Sequence, residues 1–302
     1  MKKRVIISTV LAGLLLTSSG LYASSNAAKK EDIQRLHNVV NKEATQHKQT
    51  LKKAPKEVTQ ALQQTVVALQ AIRKNDTQTA KEALNKATKL FDTALKNNPK
   101  LKLVPIADDI KVNDFTGDAK LVKHIIKSSQ DLLDNYDTQA ARAILLPLED
   151  EMDMTTQYLP MGSYPQATKK ALEELNKGKA KEAFSTIVTA LNSIVAKTVI
   201  VPLPLITAQS LVTQASQLDN KKDKEKALKL LSLAQDELQK AVYLGYTKKH
   251  APEYKELQKE IKNIKKEING KNVVEKMYDK IKKEFTSLLH KHEAESTEKK
   301  HQ

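Results

Sequence analysis

Cysteine and tryptophan are both absent from the 302 residues. Without cysteine there is no disulfide, no thiolate nucleophile and no Cys-ligated metal, so the fold must stand on its core alone. A bacterial lipoprotein anchor also needs a cysteine and is excluded. Aromatic residues make up only 4% of the chain, which leaves few rings to stack on nucleic-acid bases and a core built from Ala, Leu, Ile and Val. Glycine is scarce too. Beyond residue 27 only Gly117, Gly162, Gly178, Gly245 and Gly270 remain, each isolated. A phosphate-cradling loop or a nucleophile elbow cannot be built from them, and no zincin motif is present. No apolar run reaches the roughly 20 residues that a membrane-spanning helix needs.

What is present begins with a leader. Lys2, Lys3 and Arg4 precede the apolar run from Val5 to Leu16, and small residues follow at Ala23 and Ala27. This is the pattern of a cleaved secretory signal, and it places the expected product in the periplasm without an integral membrane anchor. The formal net charge is +15, from 51 Lys and Arg against 36 Asp and Glu. These charges are spread along polar helical faces rather than gathered beside aromatics, so nucleic acid is not an expected partner.

Four stretches share one pattern of helix, polar turn and helix: Lys74 to Leu84, Asp134 to Leu145, Asn176 to Phe184 and Asp219 to Leu228. Asp76-Thr77-Gln78 recurs as Asp137-Thr138-Gln139, and Ala80-Lys81-Glu82-Ala83 recurs as Ala180 to Ala183. Asn, Asp and Gly suit such turns, and Asp or Thr can cap the following helix. The uneven spacing excludes a regular solenoid. Apolar stripes at 3–4 spacing mark the helices: Leu62, Val66, Leu69 and Ile72 in the first, and Ala83, Leu84, Ala87, Phe91 and Leu95 in its partner.

Between the hairpins the pattern alternates. Leu101 to Phe115 reads as two short extended segments with a turn near Ala107 to Asp109. In Glu151 to Pro165, Met152, Met154, Thr156 and Tyr158 are expected on one side of a strand. Val199 to Leu205 reads as a buried extended connector. Prolines confine these strands to edges and ends of a small sheet. The fold class is therefore mainly α: repeated antiparallel helical hairpins, a small accessory β-sheet from short proline-containing strands, and a C-terminal amphipathic helix. In that helix Tyr254, Leu257, Ile261, Ile264 and Ile268 form a two-heptad seam, too short to stand alone, that is expected to dock within the chain.

Candidate chemistry is sparse. Glu149, Asp150, Glu151 and Asp153 could attract Ca²⁺, but alternation splits them across two faces and no glycine shapes a loop. Met152, Met154 and Met161 could suit Cu(I), although methionine much more often fills irregular core gaps, and packing is the expected role. His290, His292 and Glu293 lack a fixed further ligand. No catalytic residue, cofactor or metal site is assigned. The expected apolar binding face is Met152, Met154, Tyr158, Val201, Pro202, Leu203 and Pro204.

"LVPI" (Leu103 to Ile106), "TTQYLPMGSYP" (Thr155 to Pro165), "VIVPLPLI" (Val199 to Ile206) and "LGYTKKHAPEY" (Leu244 to Tyr254), in this order between hairpins, resemble the YfdX family of bacterial periplasmic proteins. The resemblance spans roughly Gln60 to Lys271. It implies a mainly helical exported protein tied to heat and acid resistance, homo-oligomeric, chaperone-like toward unfolded or damaged proteins, and not an enzyme. The alternative is a periplasmic small-molecule or metal-ion binding module. On this reading residues 1–27 are the leader, 28–54 a polar helical segment, 55–270 the YfdX-like domain, and 271–302 a basic amphipathic extension with a disordered tail.

Overall fold

In the computed structural model, residues 5–7, 40–41, 44–45, 54–219, 222–268 and 274–298 are described. The chain forms two units. One comprises Thr45–Asp109 and Thr155–Thr198; the other comprises Met1–Ala44, Ile110–Met154 and Val199–Gln302.

The first unit holds two helical hairpins, α1 (Lys56–Arg73) with α2 (Thr77–Asn97) and α5 (Tyr164–Asn176) with α6 (Ala180–Asn192). The turns are built as their residues predict. Asn75 and Gly178 take the left-handed conformation, at φ 57° and 75°, and Asp76 caps α2 by accepting from the Thr79 N–H at 3.0 Å. Across α1 the buried positions are Val58, Ala61, Thr65, Ala68, Ala71 and Ile72. This face is rotated from the expected one, for Val66 is exposed and Leu62 and Leu69 only half-buried. Alanine and threonine take the seam because they let α1 and α2 approach closely, and the leucines flank it. Phe91 and Tyr164 meet edge to face at 5.7 Å in this core, beside Leu159 and Met161.

The second unit carries α3 (Ala119–Asp134) with α4 (Thr138–Leu145), and α7 (Leu203–Ser216) with α8 (Lys224–Tyr243). Helices α9 (Pro252–Ile268) and α10 (Glu275–Glu298) follow. All five seam residues of α9 are buried, in one core with Leu211 and Ala215 of α7, Leu231 and Leu238 of α8, and Ile281 and Phe285 of α10. The seam therefore docks within the chain. The expected separate extension at 271–302 is part of this core from Val274 to Leu288, and helix replaces the expected disordered tail as far as Glu298. Its apolar residues recur at helical spacing against the α9 seam, which is what keeps it helical. Residues 299–302, and the turn at Asn269 and Gly270, lie outside the described residues.

The sheet has the order β1 (Val5–Ile7), β2 (Leu103–Asn113), β3 (Glu151–Pro160) and β4 (Val195–Pro202). β1 runs antiparallel to β2, with Ile6 opposite Lys111. Apart from these three residues the expected leader, and most of the 28–54 segment, lie outside the described residues. Two expectations are corrected here. Leu103–Asn113 is one continuous strand, without a turn at Ala107 to Asp109; Pro105 is tolerated because it stands near the strand's start, away from the stretch of β2 that pairs with β1. The Val199 to Leu205 connector is not wholly extended. It is a strand-to-helix junction in which Pro202 ends β4 and Pro204 sits in the first turn of α7, where its missing N–H costs nothing.

Candidate functional site

The second unit buries an ionic cluster. On α8, Glu237 and Lys240 are three residues apart and so share one face. The ammonium of Lys240 lies 2.9 Å from Glu237 Oε2 and 2.9 Å from Asp150 Oδ2, at the entry to β3. Lys240 and Asp150 are almost fully enclosed, while the Glu237 side chain keeps 20% of its exposure. Asp150 binds further segments as well. Its Oδ1 accepts from the Phe115 N–H after β2 at 3.4 Å, and its carbonyl accepts from the Leu203 N–H at the start of α7 at 3.0 Å. The Asp150 N–H donates to the Tyr246 hydroxyl at 3.0 Å, and that hydroxyl is hydrogen-bonded to Glu151. One residue earlier than Glu237, Asp236 accepts from the Ala119 N–H at the start of α3 at 3.2 Å. Asp150 is thus the point at which β3, α7, α8 and the chain after β2 are tied together.

Two carboxylates share one cation here, and that sets their titration. Burial pushes the Glu237 carboxyl up to about 7 against the pull of Lys240, and the charges of Asp150 and Asp236 add to the rise. Burial raises Asp150 too, again against Lys240. Lys240 itself is held protonated, since the attraction of Glu237 and Asp150 outweighs its desolvation. Burial likewise raises Glu151 and Tyr246, and the nearby Glu151 charge adds to the rise at Tyr246. The cluster therefore takes up a proton on a carboxylate near neutral pH, with the lysine charged throughout.

The expected apolar face is core. Met152, Met154, Val201 and Leu203 are buried with Ile110 and Ile206, and Pro202 and Pro204 are buried beside them. Tyr158 does not join them. Burial alternates through Met152, Met154 and Thr156, but the next buried residue is Leu159, so the pattern slips by one residue. Leu159 is buried in the separate core of Phe91 and Tyr164, and Tyr158 lies half-buried under the Lys197 ammonium, 5.6 Å from its ring centroid. The acidic run is likewise divided: Asp150 goes to Lys240 and Asp153 to Lys111 at 3.7 Å. Among the described residues no group of three His, Asp or Glu side chains could hold a metal ion. His292 packs edge-on against Tyr246, with ring centroids 5.9 Å apart. Reading the sequence singled out Asp150 and Glu151 but missed Glu237, Lys240 and Tyr246. The only signal was a lysine on the buried stripe between Leu238 and Ala241 of α8.

Residues 61–200 match the family model described as YfdX protein. This stretch belongs to the YfdX family. It contains the "LVPI" and "TTQYLPMGSYP" segments and ends inside "VIVPLPLI", short of the wider span that the resemblance suggested. Among solved structures, Salmonella Typhi YfdX is similar at 18% identity and a TM-score of 0.34, over 49% of this chain and 91% of that one. No curated protein matches the chain. The YfdX stretch contributes Asp150 and Glu151 to the ionic cluster, whereas Glu237, Lys240 and Tyr246 lie beyond it. No described helix is long and apolar enough to cross a membrane.

Proposed function

We propose that this protein is a non-enzymatic, exported stress-response protein of the periplasm that serves heat and acid tolerance by chaperone-like binding of unfolded or damaged proteins. The observation that carries the acid part is the buried Asp150–Lys240–Glu237 cluster. Its carboxylates are raised by burial, so the folded chain binds protons that the unfolded chain does not, and acidification toward pH 5 favours the fold. A chaperone that must work as the periplasm acidifies needs that sign. The shifted carboxylates are enclosed and tie chain segments together, which supports a structural rather than a catalytic use. Export rests on the Lys2–Arg4 and Val5–Leu16 pattern. A net charge of about +12, the +15 of the whole chain less Lys2, Lys3 and Arg4 of the leader, keeps such a protein soluble while it holds aggregating clients.

The test is suppression of light scattering by an acid- or heat-denatured model client, with the purified protein present at pH 5 and pH 7.5. Protection that persists or grows at pH 5 is expected. Equal aggregation with and without the protein at both values would end the chaperone reading. Periplasmic fractionation with mass spectrometry of the N-terminus, expected between Ser24 and Ala28, tests export.

A further inference from the structure

Three of the hairpin turns use a left-handed residue, and one of these takes an unexpected one. Asn75 and Gly178 occupy that position in the α1–α2 and α5–α6 turns, and Gly245 takes a similar conformation after α8. In the α3–α4 turn it is Tyr136, at φ 60°. The backbone is the same: the Tyr136 N–H donates to the Leu133 carbonyl and the Asp137 N–H to Leu132, both at 2.9 Å, as Asn75 and Asp76 do to Ile72 and Ala71. A bulky side chain is disfavoured in this conformation. The fold gains no packing in return, because Tyr136 is 92% exposed. Leu133, Leu145 and Leu146 are also exposed, beside a recess of about 360 Å³ that they line with Ala141 and Arg142. The tip carries the opposite charge to the rest of the chain. Residues 128–141 hold Asp131, Asp134 and Asp137 and no lysine or arginine, within a chain of net charge +15.

We propose that this tip is a self-association surface: Tyr136 and its neighbouring leucines, rimmed by Asp131 and Asp134, dock on the lysine-bearing α1–α2 face of a second copy. An aromatic side chain fixed on a rigid turn is the kind of anchor that dominates specific interfaces, whereas promiscuous binders use adaptable surfaces. Charge selects the occupant. A symmetric contact of tip with tip would set aspartates against aspartates, so the tip meets a different surface of the second copy. The receiving face has a recess of about 450 Å³ lined by Gln60, Gln63, Lys86, Lys89 and Leu90, with Val67 exposed on α1. Its two lysines meet the two aspartates while Leu90 and Val67 offer the ring an apolar seat.

Sedimentation velocity of the exported protein over a concentration series tests this. The wild type is expected to associate, less so at high salt. Tyr136→Gly removes the anchor while relieving the turn, so association should weaken at least about tenfold with an unchanged or higher melting temperature. Asp134→Lys and the pair Lys86→Asp with Lys89→Asp should each weaken association, and mixing the two variants should restore it. Three results overturn the proposal: a wild type that is monomeric throughout, a Tyr136→Gly variant that associates like wild type, or charge-swapped variants that fail to recombine. Loss of client protection by Tyr136→Gly with an unchanged mass distribution would also overturn it, by making the tip a client site.

Discussion

Glu237→Gln isolates the ionic cluster with one changed atom. In the folded chain Glu237 titrates near 7, raised by burial from an ordinary 4.5. Both it and Asp150 are acids whose folded value lies above the unfolded one. The Glu237 penalty is absent below about 4.5, grows as pH rises to about 7 and is complete above that, and the Asp150 penalty has the same sign. For Glu237 the full shift corresponds to about 3 kcal/mol at ~1.4 kcal/mol per unit. Its remaining 20% exposure screens part of this, leaving about 2 kcal/mol. Glutamine resembles the protonated carboxyl and does not titrate. The variant should therefore be about 2 kcal/mol more stable than wild type at pH 8, converging on it near pH 4.5. Urea unfolding followed by circular dichroism at half-unit pH steps measures the difference between the two curves. The difference matters because partly exposed acids with lowered values, such as Glu253 and Glu256, pull the absolute curve the other way at low pH. If the two curves run parallel from pH 8 to 5, Glu237 is not the group taking up the proton and the reasoning fails.

Lys240→Met leaves Asp150 and Glu237 buried without their cation, and should cost about 3–5 kcal/mol at pH 8 with partial recovery at pH 5; the same urea series reads it. Tyr278→Phe should leave stability unchanged or raise it by up to about 1 kcal/mol, because the buried Tyr278 hydroxyl has no hydrogen-bond partner among the described residues. Met152→Leu with Met154→Leu should stay within about 1.5 kcal/mol per site in thermal melts and bind Cu(I) no differently from wild type, since both thioethers are core. Gly178→Ala, at φ 75°, should cost about 1 kcal/mol by urea unfolding, while Gly162→Ala, with open space around it, should be silent. A chain ending at Tyr246 loses the cover that α9 and α10 give to α7 and α8, and should melt well below the full protein; an unchanged melting temperature would contradict the shared core.

Local rules settled much of this protein in advance. The Asp76 and Asp137 caps, the left-handed turns at Asn75 and Gly178, and the 3–4 stripes fix helical hairpins because turn chemistry and periodicity act over a few residues. The α9 seam, too short to persist alone, implied docking for the same reason. Tertiary structure decided what depends on distant partners. Leu62 and Val66 are as apolar as Ala61 and Ala68, and only the close approach of α2 selects the smaller residues for the seam. Alternation predicts that Tyr158 follows Met154, yet the burial pattern slips by one residue and it is Leu159 that is buried, in a different core drawn from distant stretches of chain. Lys240 stands in the sequence as one lysine among many on a basic helix. Asp150, 90 residues earlier, makes it a buried counterion, and a separation of that length leaves no trace in local pattern.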